Sequence, residues 1–190
     1  MTANDWPPLS ESIQTPRLHL RRYRLTDAAD VFAYARDPVW GRFMPPVPRP
    51  YERHHADAFV AGQVSANWRQ ESAWAIERQG RVVGRVRLRL APPHGRADLG
   101  YSIARWLWGR GLTTEAVSAV IDEAFRCLPL RKIAAGAIAE NVGSIRVMQK
   151  VDMQREGVMR QHWVCHGQTC DSVHYGILRE EWEQRAGAVE

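Results

Sequence analysis

One stretch of this sequence has the residue types and the spacing to hold a phosphate. Residues 97–103 alternate as a strand does, a turn carrying Gly109 and Gly111 follows, and an apolar-periodic segment opens at Thr113. At such a junction the backbone N–H groups of the first helical turn have no intrahelical partner. The helix dipole adds about half a positive charge at the same place. Glycine lets a ligand approach the backbone closely. Together these features suit a phosphate or a pyrophosphate. The spacing is not a Walker A loop, because no Gly-x-x-x-x-Gly-Lys-Ser/Thr run is present. Nor is it Gly-x-Gly-x-x-Gly, because Thr114 stands where the third glycine would be. Trp106 and Trp108 bracket the turn. Core packing is expected for both, with contact to a bound cofactor as the alternative.

The elements that must position this turn are legible on either side. Residues 17–22 alternate as a strand. Thr26 stands as an N-cap before a helix to Arg36, and a second helix is expected over Glu52–Trp68. Between them, residues 37–50 hold Pro38, Pro45, Pro46, Pro48 and Pro50 and read as a loop. Ser72–Arg78 and Arg81–Leu90 form a hairpin across Gln79 and Gly80, and Ala97–Ile103 is the next strand. Thr113–Phe125 carries one apolar stripe and reads as a helix. Lys132–Ala139 is a buried-type strand, and Val142–Lys150 is a short helix. Gln154–Cys165 and Cys170–Leu178 make a second hairpin, and Arg179–Arg185 closes with a helical turn. The order predicts a single mixed α/β domain over residues 15–185, with a loose arm at 1–14 and a tail at 186–190.

Composition narrows the function classes. The chain has 190 residues, of which 45% are hydrophobic and 25% charged, as in an ordinary globular protein. No run of 18 apolar residues is present, so no membrane span or membrane partner is expected. No export signal is read at the N-terminus, and a cytoplasmic location is the expectation. Cys127, Cys165 and Cys170 are too few for a disulfide framework and lack zinc-ligand spacing. His54 and His55 are adjacent and on a helix point about 100° apart, so no metal is expected. The net charge of +5 is spread without a basic run, which argues against nucleic acid as a partner. Arg85, Arg87 and Arg89 do share one face of a strand. That face reads as solvated, or alternatively as an attraction for an acidic acceptor.

With these residues in place, Leu99-Gly100-Tyr101 followed by Trp108-Gly109-Arg110-Gly111-Leu112-Thr113-Thr114-Glu115-Ala116 resembles the acetyl-CoA-binding motif of the GNAT N-acetyltransferases. Asn141-x-x-Ser144, then Met148, Lys150, Met153 and Glu156-Gly157, is similar to the segment that follows it in that superfamily. The opening Thr15-Pro16-Arg17-Leu18 and the close Leu178-Arg179-Glu180-Glu181-Trp182 resemble the branch that contains ribosomal-protein-alanine N-acetyltransferases. The resemblance implies a GNAT fold, a central, mostly antiparallel sheet flanked by helices. It also implies acetyl-CoA as cosubstrate. Asp152 stands where relatives usually have Gly, at an expected left-handed helix C-cap, and the fold is expected to survive it.

Carried over residue by residue, the resemblance implies that backbone groups of Ile103 and Ala104 pair with the pantetheine arm. The N–H groups of Gly109, Arg110, Gly111, Leu112, Thr113 and Thr114 would hold the pyrophosphate, with Trp108 beside them and an added charge from Arg110. Asn141 would bond the pantetheine arm, and Ser144 would lie near the thioester sulfur. The reaction needs an oxyanion donor, for which a backbone N–H of the Ile103–Ala104 strand is the candidate. It also needs a proton donor for the departing thiolate, with Ser144 the first choice and Tyr101 the second. As the base, Asp98 and His162 are the candidates; Glu115 reads as a structural first-turn carboxylate. Trp163 stands where some members of the branch carry a carboxylate. Trp40, Phe43 and Trp68 are expected near the acceptor. Asp171 would fix an acceptor amine or cap a turn.

The expected activity is acetyl transfer to a primary amine by direct attack in a ternary complex. The acceptor is a protein N-terminus, with a small amine (polyamine, amino acid or antibiotic) as the alternative. A non-catalytic acyl-CoA-binding module is the rival from another class. The expected assembly is a monomer or a homodimer.

Overall fold

The computed structural model describes residues 6–44 and 47–187. Its strands are β1 (Ser12–Gln14), β2 (His19–Arg22), β3 (Glu71–Arg78), β4 (Arg81–Ala91), β5 (Arg96–Ile103), β6 (Lys132–Ile138), β7 (Gln154–Cys165) and β8 (Gln168–Leu178). The helices are α1 (Ala28–Ala35), α2 (Arg53–Ser65), α3 (Leu112–Cys127), α4 (Val142–Lys150) and α5 (Arg179–Gly187). One eight-stranded sheet runs in the order β1-β2-β3-β4-β5-β6-β8-β7. All its pairs are antiparallel except β5 with β6. Pro45, Pro46, residues 1–5 and residues 188–190 lie outside the described residues. No described helix is long and apolar enough to cross a membrane.

The apolar stripe of α3 explains its place. Ala116, Val117, Val120, Ile121 and Ala124 are fully buried, and α3 contacts β4 and β5, whose Val86, Leu88 and Ala97 are also at 0% exposure. On the other face, α1 packs against α2, and the Arg85 guanidinium lies 5.1 Å from the Phe59 ring of α2. The turn between β3 and β4 has Gln79 and Gly80 both at positive φ, the geometry of a type I′ hairpin. Asp152 takes φ +62 at the end of α4, and Met153 N–H closes onto the Met148 carbonyl at 3.0 Å, so the fold tolerates aspartate at this C-cap.

Two expectations are corrected. The described part of the N-terminal arm is not loose. Trp6 and Leu9 are each only 3% exposed, and β1 pairs with β2. Indole N–H groups of Trp68 and Trp74 donate to the carbonyls of Leu9 and Ser10, so buried aromatics on and beside β3 hold the segment down. At the other end, α5 runs to Gly187, past the expected tail boundary.

Thr26 is not the helix cap. A single 3-10 turn, Leu25–Asp27, precedes α1, and the Asp27 carboxylate accepts from Arg24 N–H at 2.8 Å. The same carboxylate takes both terminal nitrogens of Arg21 at 2.9 Å, and Arg21 Nε reaches Glu77 at 2.6 Å. Arg21 and Asp27 are 6% and 5% exposed. A guanidinium this deep needs a carboxylate at the start of α1, and that need outweighs the local preference for a threonine cap.

Breaking this pair leaves the buried guanidinium with Glu77 alone and its terminal nitrogens without a carboxylate. Asp27→Ala is expected to lower unfolding free energy by about 3–5 kcal/mol, read as a lower urea midpoint with an unchanged slope.

Candidate active site

The parallel pairing of β5 with β6 covers only Arg96–Leu99 against Lys132–Ala135. The pairing of β4 with β5 continues to Ile103. Past Leu99 the edge of β5 is therefore open on the β6 side. In an antiparallel ladder both backbone groups of alternate residues face the same neighbour. Ala104 N–H donates to Val83 O at 2.7 Å, which fixes the phase. Ser102 and Gly100 thus face β4, while Tyr101 and Ile103 present their backbone groups to the opening. The Ile103 carbonyl accepts the indole N–H of Trp108 at 3.0 Å. Tyr101 N–H, Tyr101 C=O and Ile103 N–H remain for a ligand.

The opening leads into a cleft of about 440 Å³. Tyr101, Ile103, Gly109, Thr113, Asn141 and Ser144 contribute to its wall, and Trp40, Phe43 and Met44 come in from the loop before α2. At the cleft mouth, Gly109 and Gly111 take φ +73 and +74, so the loop doubles back in a shape that side chains resist. Among the described residues, no backbone hydrogen bond engages the N–H of Gly109, Arg110, Gly111, Leu112, Thr113 or Thr114; the first helical bond is Glu115 N–H to Gly111 O. Six N–H groups without a backbone acceptor thus stand in succession at a helix N-terminus, an arrangement that suits an anion.

The loop is strapped from behind. Arg17 donates from its side chain to the Arg110 carbonyl at 3.0 Å and to Glu115 at 2.5 Å. Thr15 Oγ1 and Arg17 N–H donate to the other oxygen of Glu115. Burial pushes the Glu115 carboxyl up, and the bonds from Thr15 and Arg17 outweigh that push and hold it below its ordinary value. Glu115 is therefore committed to structure, tying the N-terminal segment to α3.

Ser144 and Tyr101 form one unit. The Tyr101 hydroxyl lies 2.9 Å from Ser144 Oγ and 3.0 Å from the Ser144 carbonyl, to which it donates. Burial pushes the Tyr101 phenol up to about 12, so it stays protonated through neutrality. The Asn141 side-chain carbonyl accepts from Ser144 N–H at 3.1 Å and caps α4. That bond seats Ser144 in the first turn of α4, facing Tyr101.

Other candidates are placed differently. Both backbone groups of Ala104 are engaged within the chain, with Val83 and with Leu107 N–H, so Ala104 is removed from the set of pantetheine or oxyanion partners. Asp98 pairs with Arg96 at 3.3 Å. Arg110 is exposed, and Leu112 is buried, so Leu112 can offer only its N–H. Trp106 and Trp108 are 52% and 45% exposed, which overturns core packing; Trp108 lines the cleft. Trp68 stays away from the cleft, edge-on to Trp74. Asp171 accepts from Gln161 N–H at 2.8 Å inside the bulge of β7, a structural role. The rings of His54 and His55 do not point apart: their centroids are 3.9 Å apart, and His55 Nδ1 caps α2 at Glu52 N–H. The three cysteines are free.

Sequence reasoning missed His174. Its ring lies across Gly136, the first β6 residue past the parallel pairing, where an added Cβ would come within 3.3 Å of it. Ser172 Oγ holds Nε2 at 2.8 Å, and the rings of His162 and His174 sit 5.6 Å apart. Burial, and then His162, push His174 below its ordinary value, so it is neutral at neutral pH. The available signal was Gly136 itself, a glycine inside a strand with no turn to make.

Residues 17–154 match the model of the acetyltransferase (GNAT) domain family. An uncharacterized N-acetyltransferase of Bacillus licheniformis, p20, is 28% identical over 180 residues, covering 90% of this chain and 98% of the relative. The uncharacterized N-acetyltransferase YoaA of Bacillus subtilis is 31% identical over 178 residues, with 88% and 96% covered. Among solved structures, a GNAT-family acetyltransferase from Bacillus anthracis superposes with TM-score 0.80 at 24% identity, covering 90% of this chain and 99% of that one. The ribosomal L7/L12 alpha-N-protein acetyltransferase RimL, solved with coenzyme A, gives TM-score 0.82 at 18% identity, with 90% and 99% covered. The matched region contains the parted strands and the glycine loop, and the chain belongs to the GNAT family of N-acetyltransferases, which draw their acyl group from acetyl-CoA.

Proposed function

We propose that this chain transfers acetyl from acetyl-CoA directly to a primary amine in a ternary complex, with a protein N-terminal amine as the acceptor. The observation that supports this most is the continuity of the cleft. Gly109 and Thr113, from the loop of unbonded N–H groups at the start of α3, line one cleft together with Tyr101 and Ile103 of β5 and with Ser144. That sequence of donors matches, in order, a pyrophosphate, an amide-bearing arm and a thioester. Gly109 to Thr114 would hold the pyrophosphate, and Tyr101 and Ile103 would pair with the arm as a strand would.

Direct attack fits the lining, which among the described residues includes no cysteine to carry the acetyl group. A free backbone N–H of this stretch of β5 that the arm does not use is our candidate donor for the oxyanion. The Ser144 hydroxyl, hydrogen-bonded to Tyr101, gives its proton to the departing thiolate and takes one back from solvent in the cleft. An α-amine, with a reference pKa of about 7.7–8.0, needs only modest help to shed its proton. His174 gives that help through Nδ1, since Ser172 holds Nε2. It borders the opening between β5 and β6, whereas Asp98 is tied to Arg96 and His162 is the outer, exposed member of the pair. The acceptor class draws support from RimL, whose own activity is N-terminal.

Acetyl-CoA-dependent release of free thiol, across peptides starting with Ala, Ser or Met and a set of small amines, tests the activity. Turnover on peptides is expected; turnover on small amines alone overturns the protein acceptor. Gly111→Val forces a β-branched residue to φ +74 in the loop. It should raise the acetyl-CoA dissociation constant about tenfold or more, by roughly 1.4 kcal/mol, measured by calorimetry. Ser144→Ala and Tyr101→Phe should each lower kcat, and because they share a hydrogen bond the double variant should lose less than the product of the two.

His174→Gln should lower kcat/KM by about 100-fold. The sign of its pH dependence follows from its surroundings. His162 and burial depress its proton affinity and Glu156 partly restores it. Wild-type kcat/KM should stay level through neutrality and fall only below the ordinary imidazole range, and the His174→Gln profile should lack that limb.

A further inference from the structure

One row of residues crosses the sheet on the face away from α3. Register places Ala73 opposite Arg87, Arg87 opposite Gly100, and Gly136 opposite His174. Gly100 and Gly136 follow Leu99 and Ala135, the last parallel pair, so they flank the opening. At about 4.8 Å per paired strand, Arg87 and His174 stand at least roughly 14 Å apart at their backbones, since β5 and β6 part between them. Both side chains lean inward. A Cβ on Gly100 would come within 3.3 Å of the Arg87 guanidinium, and one on Gly136 within 3.3 Å of the His174 ring. Neither glycine has positive φ, so both are there for space and not for conformation. The Trp163 ring also comes to 3.5 Å of the Gly136 position and adds an apolar wall.

Arg87 is the unusual member. Its Nε is buried and has no hydrogen-bond partner. Among the described residues its one carboxylate contact is Glu71, at 3.4 Å, and Glu71 is held more closely by Arg89, at 2.8 Å. Arg85 shares the face and has no carboxylate partner among the described residues. Further along, Arg96 pairs with Asp98 and Lys132 with Glu156, so those charges cancel. Three guanidiniums therefore face one carboxylate beside the opening, with a buried donor still unused. Burial, and after Glu71's opposing pull the charges of Arg85 and Arg89, push Arg87 below its ordinary value. An arriving anion relieves both the charge excess and the idle donor.

We propose that the acceptor is an amine that also carries a carboxylate, and that the Arg87 guanidinium, lying over Gly100, binds this carboxylate. The proposal rests on the transfer reading above and names the substrate class of that site. The carboxylate belongs to a free amino acid or short acidic peptide, or to an acidic residue just after a protein N-terminus. With the carboxylate on Arg87, the amine lies toward His174 and the thioester in the opening.

The test compares matched acceptors. Glycine and alanine are set against glycinamide and alaninamide, and C-terminally amidated Ala-Asp and Ser-Glu peptides against the amidated Ala-Asn and Ser-Gln peptides, by thiol release and by calorimetry with coenzyme A present. The wild type should favour the carboxylate member at least tenfold in kcat/KM, and the favoured arm, free amino acid or peptide, identifies the source. In Arg87→Gln the ratio should fall toward one, with acetyl-CoA affinity showing that the variant is folded. Gly100→Ala, which keeps every charge but displaces the guanidinium, should reduce the ratio as well. Equal turnover of carboxylate and amide by the wild type overturns the carboxylate site and leaves the transfer reading standing. Carboxylate-selective binding that vanishes in Arg87→Gln, without thiol release from any acceptor, supports the site and overturns the transfer reading. A ratio that Arg87→Gln preserves overturns the role of Arg87.

Discussion

The rest of the structure depends on two strands that stop pairing. β5 and β6 share a ladder only as far as Leu99 and Ala135, and past that point β5 has an edge with no neighbour. A sheet interior does not ordinarily leave backbone donors and acceptors unpaired. Here the deficit is tolerated because it faces a cleft, and a ligand with amide groups of its own can complete the ladder. Each neighbouring feature follows from that gap. β4 holds the other edge of β5 in register to Ile103, α4 begins where the gap must be roofed, and the glycine loop begins where β5 ends. The apolar stripe of α3, fully buried, keeps the first helical turn fixed at the cleft mouth.

The two halves of the site use different physics. The donor half is made almost wholly of backbone: loop N–H groups, a strand edge and a helix terminus, with Asn141 spent on capping α4. Such a site recognises a shape common to every coenzyme A ester and carries little information about the acceptor. The acceptor half that we propose is made of side chains that reach over two glycines from opposite strands. Its chemistry can change by single substitutions without disturbing the donor half. This separation is one physical reason why a shared fold serves many acceptors.

The same division explains what could be read from the sequence. The donor half lies in continuous stretches, Leu99–Ala116 and Asn141–Ser144, where glycine spacing and capping residues mark local backbone geometry. The helices and strands around it were legible for the same reason, through their hydrophobic period. The proposed acceptor half is assembled by pairing between β4, β5, β6 and β8, residues far apart in the chain. Arg87 and His174 each look like an ordinary polar strand position until register sets them in one row. The buried Arg21–Asp27 pair and the burial of Trp6 were hidden likewise, because both depend on what another segment places above them.

The strap from Arg17 bears on how such enzymes can be recombined. The Arg110 carbonyl in the glycine loop is held by a side chain 93 positions earlier in the chain, and the same arginine grips Glu115. The loop thus has its shape before any ligand arrives, and the entropy of ordering it is spent on folding, not on binding. A loop transplanted between two members of such a family without its matching N-terminal segment would lose that support and become a flexible copy of the same sequence. The unit of exchange is therefore the pair: the loop and the opening segment that braces it.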